Sequence, residues 1–190
     1  RRLLDIAAAA DESTLVLGVI TGGGSALMAA PAAGLSLADL QSTTDALLAS
    51  GATISEINAV RKHCSAIKGG RLAATLQPAT TCCLVVSDVV GNDLATIASG
   101  PLVADPTTYA DASGVLDRYD CAVPAAVDDH LARGVAGEIT ETPTAGDPVF
   151  ACVTTEIIGD GMVAVRAAAD CARESAFDPL VLSSRIRGEA

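Results

Sequence analysis

Two short apolar runs, at 14–20 and 80–86, constrain the fold of this chain more than any other feature. Each is rich in Val, Leu, Ile or Thr and runs directly into a polar segment, which is the pattern of a buried strand. Helix-like segments lie between the two runs and after them. Strands that alternate with helices predict an α/β domain with a mainly parallel sheet. In such a sheet, ligands bind beyond the carboxyl ends of the strands.

Local patterns predict the remaining elements. We expect strands over 14–20, 80–86, 149–154 and 180–183, and helices over 1–10, 37–50, 54–64, 70–76, 110–119, 124–134 and 160–175. Thr53 followed by Glu56 is a capping box, and Ser36 followed by Asp39 approximates one. Because no linker or repeat interrupts the pattern, residues 1–190 are predicted to form a single domain.

Acidic residues dominate the charge of the chain. It holds 23 acidic and 12 basic residues, with a formal net charge of −11, and only Lys62 and Lys68 are lysines. An ordinary acidic protein usually keeps many surface lysines. We therefore interpret the balance as halophilic, because molar salt screens the repulsion between carboxylates; an ordinary acidic protein is the alternative. An acidic surface argues against nucleic acid or an anionic membrane as a partner.

The six cysteines form no C-x-x-C pair, and Cys82 and Cys83 lie inside an apolar run. They are therefore interpreted as small buried hydrophobic residues in a reducing, cytoplasmic compartment. The presence of only two histidines argues against a structural zinc site. No apolar run approaches the ~20 residues of a membrane span, and no signal peptide opens the chain. Because the chain begins on Arg1 without Met and stops abruptly at Ala190, we expect a piece of a longer protein.

A glycine loop follows the first predicted strand and contains Gly22, Gly23, Gly24 and Ser25. Without β-carbons, consecutive N–H groups can converge on one anion, and the hydroxyl of Ser25 adds a further donor. The loop lacks the lysine of a Walker motif and the third glycine of a dinucleotide fingerprint. It therefore predicts an anion site more strongly than a nucleotide site, and a simple tight turn is the alternative.

The second predicted strand ends at Ser87 and Asp88, and Asp93 follows in the next loop. A carboxylate at the end of an apolar strand suits Mg²⁺ coordination or acceptance of a proton from a substrate hydroxyl. A cap of the following turn is the alternative for Asp88. Asp93 is interpreted as a solvated loop residue or an indirect support for a bound ligand.

Four cationic residues, Arg61, Lys62, Lys68 and Arg71, crowd between these two segments. They include both lysines of the chain, which suggests a function in binding negative groups. Lys68 precedes two glycines and a predicted helix, so its ammonium and the free N–H groups of the first helical turn could act on one phosphate or carboxylate. Surface salt bridges are the alternative, and His63 is given no catalytic role.

Together these segments resemble the large domain of bacterial and archaeal glycerate 2-kinases. The resemblance rests on the order and spacing of several motifs: TGGGSAL at 21–27, SGATISEIN at 50–58, VRKH at 60–63, SAIKGGRLA at 65–73, SDVVG at 87–91, IASGP at 97–101, DPTT at 105–108 and GEA at 188–190. It covers nearly the whole chain and is weakest over 121–147.

The resemblance implies a Rossmann-like, three-layer α/β domain that forms a cleft for glycerate and Mg-ATP with a smaller domain. Carried over to this sequence, Gly22 to Ser25 line the anion site, and Arg61 and Lys68 face negative groups. Asp88 is the principal acidic residue and the metal ligand, with Lys68 as the other catalytic residue. Ser87 and Asp93 are assigned to substrate or phosphate binding. The implied reaction transfers the γ-phosphate of ATP to the 2-hydroxyl of D-glycerate.

The sequence departs from the family pattern in a few places. Asn92 stands where relatives usually have Asp, and Glu156 and Gly161 replace expected asparagines. The family's N-terminal segment with a functional lysine, and its small domain with an arginine, lie outside the chain. We therefore expect the chain alone to be inactive. Hydroxypyruvate reductase with NAD(P)H and a non-catalytic glycerate- or nucleotide-binding module are the alternatives, and a homodimer is left open.

Overall fold

The computed structural model describes residues 2–185, and its centre is a three-stranded parallel sheet. The strands are β1 (Leu15–Ile20), β2 (Thr80–Val86) and β3 (Val153–Gly159), in the order β1-β2-β3. Both pairs of neighbouring strands are parallel. The predicted α/β class with a parallel sheet is therefore confirmed. The GEA motif at 188–190 lies outside the described residues.

Helices connect the strands and follow them. They are α1 (Arg2–Ala8), α2 (Gly24–Leu27), α3 (Leu37–Ser50), α4 (Ile54–His63), α5 (Arg71–Leu76), α6 (Tyr109–Arg118), α7 (Ala125–Val135) and α8 (Gly161–Glu174), with 3₁₀ turns at Ile97–Ser99 and Pro148–Phe150. Ser36 and Thr53 both form complete capping boxes, at α3 and α4 respectively. Thr108 forms a third, which the sequence analysis did not predict.

Two predicted strands are wrong. The strand predicted over 149–154 begins only at Val153, because Asp147 accepts a hydrogen bond from the Val149 N–H and, with Pro148, starts a 3₁₀ turn there. Pro148 cannot donate a ladder hydrogen bond, so it favours this turn over a strand. Residues 180–183 are irregular and largely exposed. Their apolar pattern alone could not distinguish a strand from a loop that contacts a helix.

The core has two parts. One lies between the inner face of the sheet and helices α1 and α5, and it contains Leu72, Cys83 and Val85. The other lies between helices α3, α4, α6 and α7, around Leu47, Val60 and Tyr109. The segment that joins α4 to α5 connects the two cores, because Cys64 packs in the second and Ile67 in the first.

The outer face of the sheet is apolar and exposed at β1, where Leu15, Leu17 and Val19 alternate with residues that face the core. Alternate residues of a strand point to opposite faces, so these three side chains share one face. Within residues 2–185, no helix has the length and apolar character needed to cross a membrane.

Candidate active site

The glycine loop and Asp88 lie against each other. They follow β1 and β2, which are neighbours, and parallel strands bring their carboxyl ends to the same edge of a sheet. A β-carbon placed on Gly22 would lie 2.3 Å from Oδ2 of Asp88, so only glycine fits with this carboxylate position. Asp88 is exposed, and its oxygens accept no hydrogen bond from any residue between 2 and 185. Its carboxylate is therefore available to a ligand.

The backbone of the loop also has unused donors. Gly23 has φ +79°, a left-handed conformation that favours glycine, and it turns the chain into α2. The N–H of Gly24 donates to the carbonyl of Thr21, whereas those of Gly22 and Gly23 have no acceptor in the described part of the chain. Both glycines are exposed residues.

Lys68 reaches the other end of the same loop. Its Nζ donates to the carbonyl oxygen of Ser25 and to Oγ of Ser25, both at 2.8 Å. The residue is only 4% exposed. Burial, reinforced by the nearby Arg61, lowers the pKa of Lys68 from 10.5 to about 8. An ammonium that is desolvated without a carboxylate partner gains from an anion placed beside it.

Arg61 lines the same cavity as Lys68. The cavity has a volume of about 230 Å³ and lies between the loop, α3 and α4. Burial also lowers the pKa of Arg61. Asp45 is the acidic residue of the lining, yet neither cation forms an ion pair within the described residues. Two partly desolvated cations without an ion-pair partner are groups that a small anion placed in this cavity would stabilise.

A strained turn at Ser99 contacts the glycine loop. Ser99 is fully buried at φ +61°, and its Oγ lies 2.9 Å from Oγ of Ser25. It also donates to Oδ1 of the buried Asn58, at 3.1 Å. A left-handed conformation costs a residue other than glycine of the order of 1–3 kcal/mol. The contacts of Ser99 with Ser25 and Asn58 hold this conformation and thereby the position of the Lys68 acceptors. The sequence analysis gave Ser99 and Asn58 no role in the site.

The other two cations of the predicted cluster lie elsewhere. Lys62 is buried and forms an ion pair with Asp105 at 3.0 Å. Arg71 lines a different cavity, on the far side of the α4–α5 segment. The crowding of the four cations along the sequence therefore does not bring them into one site, because successive helical residues such as Arg61 and Lys62 point about 100° apart.

The start of α5 is not an anion site. The N–H groups of Gly69, Gly70 and Ala73 donate to the carbonyls of Ser99, Gly100 and Pro101, respectively. The predicted free first turn after Lys68 is therefore occupied by the protein itself. This part of the prediction is wrong because the turn packs against the segment 99–101, which the local sequence could not reveal.

Ser87 and Asp93 are engaged locally. Oγ of Ser87 accepts a hydrogen bond from the N–H of Val89, which shapes the turn after β2. Asp93 accepts hydrogen bonds from the N–H of Ala95 and the hydroxyl of Thr96. These contacts position the backbone that leads to Ser99. A direct contact of Ser87 or Asp93 with substrate stays a prediction.

A second carboxylate lies near Asp88 and was missed by the sequence analysis. Asp160, which follows β3, lines a cavity of about 320 Å³ together with Asp88. Its Oδ2 accepts a hydrogen bond of 2.7 Å from the amide of Asn92, and Oδ1 accepts one from the N–H of Val163. Asn92, one of the departures from the family pattern, therefore pairs with Asp160. Only the adjacency of β2 and β3 reveals this pair.

Within the described residues, no three His, Cys, Asp or Glu side chains form a metal cluster. Mg²⁺ is often held by one or two carboxylates together with substrate phosphates and water. The free carboxylate of Asp88, beside donors for an anion, fits that pattern.

The fold and the site define an α/β protein with a cationic cavity and a free carboxylate at the carboxyl edge of a parallel sheet. The family model described as Domain of unknown function (DUF4147) matches residues 1–132. The chain belongs to the DUF4147 family.

The relatives include glycerate kinases and proteins that carry the name of a reductase. The chain is 46% identical over 178 residues to an Agrobacterium vitis protein provisionally named hydroxypyruvate reductase, covering 93% of this chain and 38% of the relative. It is 43% identical over 192 residues to the glycerate 2-kinase of Pyrococcus horikoshii, covering 100% of this chain and 43% of the relative. The chain therefore spans less than half the length of these relatives.

The solved structures agree with the sequence comparisons. Glycerate kinase from Thermotoga maritima aligns with a TM-score of 0.80 and 39% identity, over 93% of this chain and 40% of its own. A protein from Pyrococcus horikoshii OT3 aligns with a TM-score of 0.81 and 45% identity, over the same shares of the two chains. The resemblance to glycerate 2-kinases and the Rossmann-like α/β class are confirmed.

Proposed function

We propose that the protein is a glycerate 2-kinase, which transfers the γ-phosphate of ATP to the 2-hydroxyl of D-glycerate. The observation that carries the proposal is the arrangement at the glycine loop. Two cations without carboxylate partners, Arg61 and Lys68, line a cavity at one end, and the free carboxylate of Asp88 lies at the other. Phosphoryl transfer needs positioning and charge neutralisation more than covalent catalysis.

Each group has a defined task in this proposal. Lys68 and Arg61 bind the carboxylate of glycerate or a phosphate of ATP, and the N–H groups of Gly22 and Gly23 donate to the same anion. Asp88 accepts the proton of the 2-hydroxyl or holds Mg²⁺. Mg²⁺, when bound, neutralises charge on the phosphate oxygens. Ser99 and Asn58 keep Ser25 and Lys68 in place without contacting substrate.

The first test is an assay of the complete protein in high KCl. D-glycerate with Mg-ATP is given in one reaction, and hydroxypyruvate with NADH or NADPH in another. The proposal expects 2-phosphoglycerate, resolved from 3-phosphoglycerate, in the first reaction. Reduction of hydroxypyruvate without an ATP-dependent product would overturn it in favour of the reductase. Ligand binding without turnover of either substrate would favour a non-catalytic module.

Asp88→Asn tests the role of the carboxylate. If its charge acts in the transition state, kcat falls far more than KM changes. Asp117→Asn makes the same chemical change at an exposed position of α6 and should leave both parameters unchanged. A near-normal kcat for Asp88→Asn would remove Asp88 from the mechanism.

We also propose that the chain forms part of the large domain of a two-domain enzyme and is inactive alone. The family's additional lysine and arginine would have to come from outside these 190 residues. Losing two cations that neutralise a phosphoryl group should cost several orders of magnitude in rate. Robust turnover by residues 1–190 alone would refute this.

Activity that rises with KCl toward molar concentration would support the halophilic interpretation.

A further inference from the structure

A second cavity, of about 560 Å³, lies on the opposite side of the α4–α5 segment from the candidate active site. Cys64 lines the first cavity and Ser65 lines the second, and the two cavities share no lining residue. The walls of the second cavity come from α5, α7 and the loop 139–149. Neither the glycine loop nor Asp88 takes part in it.

Arg71 lines this cavity, and not all of its N–H donors have a hydrogen-bond acceptor. One terminal nitrogen, Nη2, donates to the hydroxyl of Tyr109 at 2.9 Å and to the carbonyl of Thr140 at 3.2 Å. Nε is buried and has no acceptor within the described residues. A buried donor without a partner costs about 1–3 kcal/mol. A small movement of the guanidinium toward an anion in the cavity would give Nε that acceptor.

Neither guanidinium of this cavity forms an ion pair with Glu141 or Asp147, the two carboxylates of its wall, within the described residues. Arg71 forms no ion pair within residues 2–185, and Arg133 pairs only with Glu138, at 3.0 Å between exposed side chains. Exposed pairs of this kind contribute about 0–1 kcal/mol and are readily exchanged. Two guanidinium groups are therefore available to the cavity.

The acidic side chains of the wall are already engaged. Glu141 accepts hydrogen bonds from Nε2 of His63 and from the N–H of Tyr109, both at 2.9 Å. Asp147 accepts one from the N–H of Val149. Glu141 and Asp147 keep their negative charge, but their hydrogen bonds go to these other groups, and neither forms an ion pair with the guanidinium of Arg71 within the described residues.

We propose that this cavity is a second anion site, which binds a small phosphate- or carboxylate-bearing metabolite through Arg71 and Arg133. The planar guanidinium donates two parallel hydrogen bonds to either oxyanion. Four alanines, Ala32, Ala33, Ala66 and Ala74, also line the cavity, and their small side chains leave room for an organic body attached to the anionic group. Because its lining is separate from that of the candidate active site, the ligand would bind without occupying the cavity of Arg61 and Lys68.

The experiment measures binding in the complete protein carrying Lys68→Met, which removes the buried cation of the first cavity. Inorganic phosphate and, separately, malonate are titrated by calorimetry in KCl, without glycerate or ATP. We expect a one-site isotherm with at least one of the two. Whichever probe binds identifies the anionic group that the site accepts. Adding Arg71→Lys should weaken this binding about tenfold or more, the scale of one lost charge-assisted hydrogen bond.

Two further variants keep the test decisive. Arg133→Gln changes an exposed side chain, so it preserves folding and should weaken the same isotherm several-fold. Arg173→Gln, on α8, removes an exposed arginine that also pairs with one acidic neighbour, and it should leave binding unchanged. Absence of binding of both probes, or binding that neither the Arg71 nor the Arg133 variant weakens, overturns the proposal. Because no catalysis is measured, these outcomes are independent of the kinase activity.

Discussion

Under the proposed kinase function, Gly22→Ala should greatly reduce activity while leaving the protein folded. The new β-carbon would lie 2.3 Å from Oδ2 and 2.9 Å from Cγ of Asp88. An ordinary contact begins near 3.4 Å, so the carboxylate must retreat by about 1 Å. Asp88 is exposed and its side chain can rotate, so the retreat is cheap. Gly22 does not have a positive φ, so alanine adds no backbone strain.

The expected magnitudes follow from this geometry. Replacing glycine by alanine in a compatible conformation changes stability by about 0.4–1 kcal/mol, so the melting temperature should barely move. Displacing a catalytic group by about 1 Å can cost on the order of 100-fold in rate. We therefore expect kcat for phosphorylation of D-glycerate to fall about 100-fold in the complete protein, with thermal unfolding close to that of the wild type.

A double-mutant cycle shows whether the loss acts through Asp88. In an Asp88→Asn background, Gly22→Ala should reduce kcat only a few-fold further, because the charge it displaces is already gone. Gly114→Ala is the matched control, since Gly114 lies in α6 and a β-carbon added there would have no neighbouring atom within 4 Å. An unchanged kcat in Gly22→Ala, or a full loss of about 100-fold on top of Asp88→Asn, would refute the reasoning.

Two further predictions concern the lysines. The pKa of Lys68 is lowered to about 8, so anion binding, measured as kcat/KM for glycerate, should fall as the pH rises through about 8, and Lys68→Met should abolish this dependence. For stability the sign is opposite: the unfolded state binds more protons between about pH 8 and 10.5, so the unliganded protein gains stability over that window. Lys62→Met leaves Asp105 buried without its cation and should cost about 3–5 kcal/mol of unfolding free energy, measured by urea denaturation. A loss below about 1 kcal/mol would show that water or other groups neutralise Asp105, whereas Lys62→Met with Asp105→Asn should recover part of the stability.

Most elements follow from local chemistry. The two apolar runs form strands because their β-branched and apolar residues suit a buried sheet. Ser36 and Thr53 start helices because their hydroxyls accept N–H groups three residues on. Local chemistry also explains why the strand predicted over 149–154 was wrong. The cap formed by Asp147 and the adjacent Pro148 start a 3₁₀ turn, which replaces the strand that the apolar pattern predicted.

The sequence by itself determined that the glycine loop and Asp88 each follow the carboxyl end of a strand in a parallel sheet. The tertiary structure decided that these two strands are neighbours, which brings the loop and Asp88 together. Tertiary structure decided which cations join them. Arg61 and Lys62 are adjacent in the chain, yet one lines the cavity and the other meets Asp105, 43 residues away. The pairing of Asn92 with Asp160 spans 68 residues. Contacts over such separations depend on how helices and strands pack, and no local pattern encodes the direction in which each side chain then points.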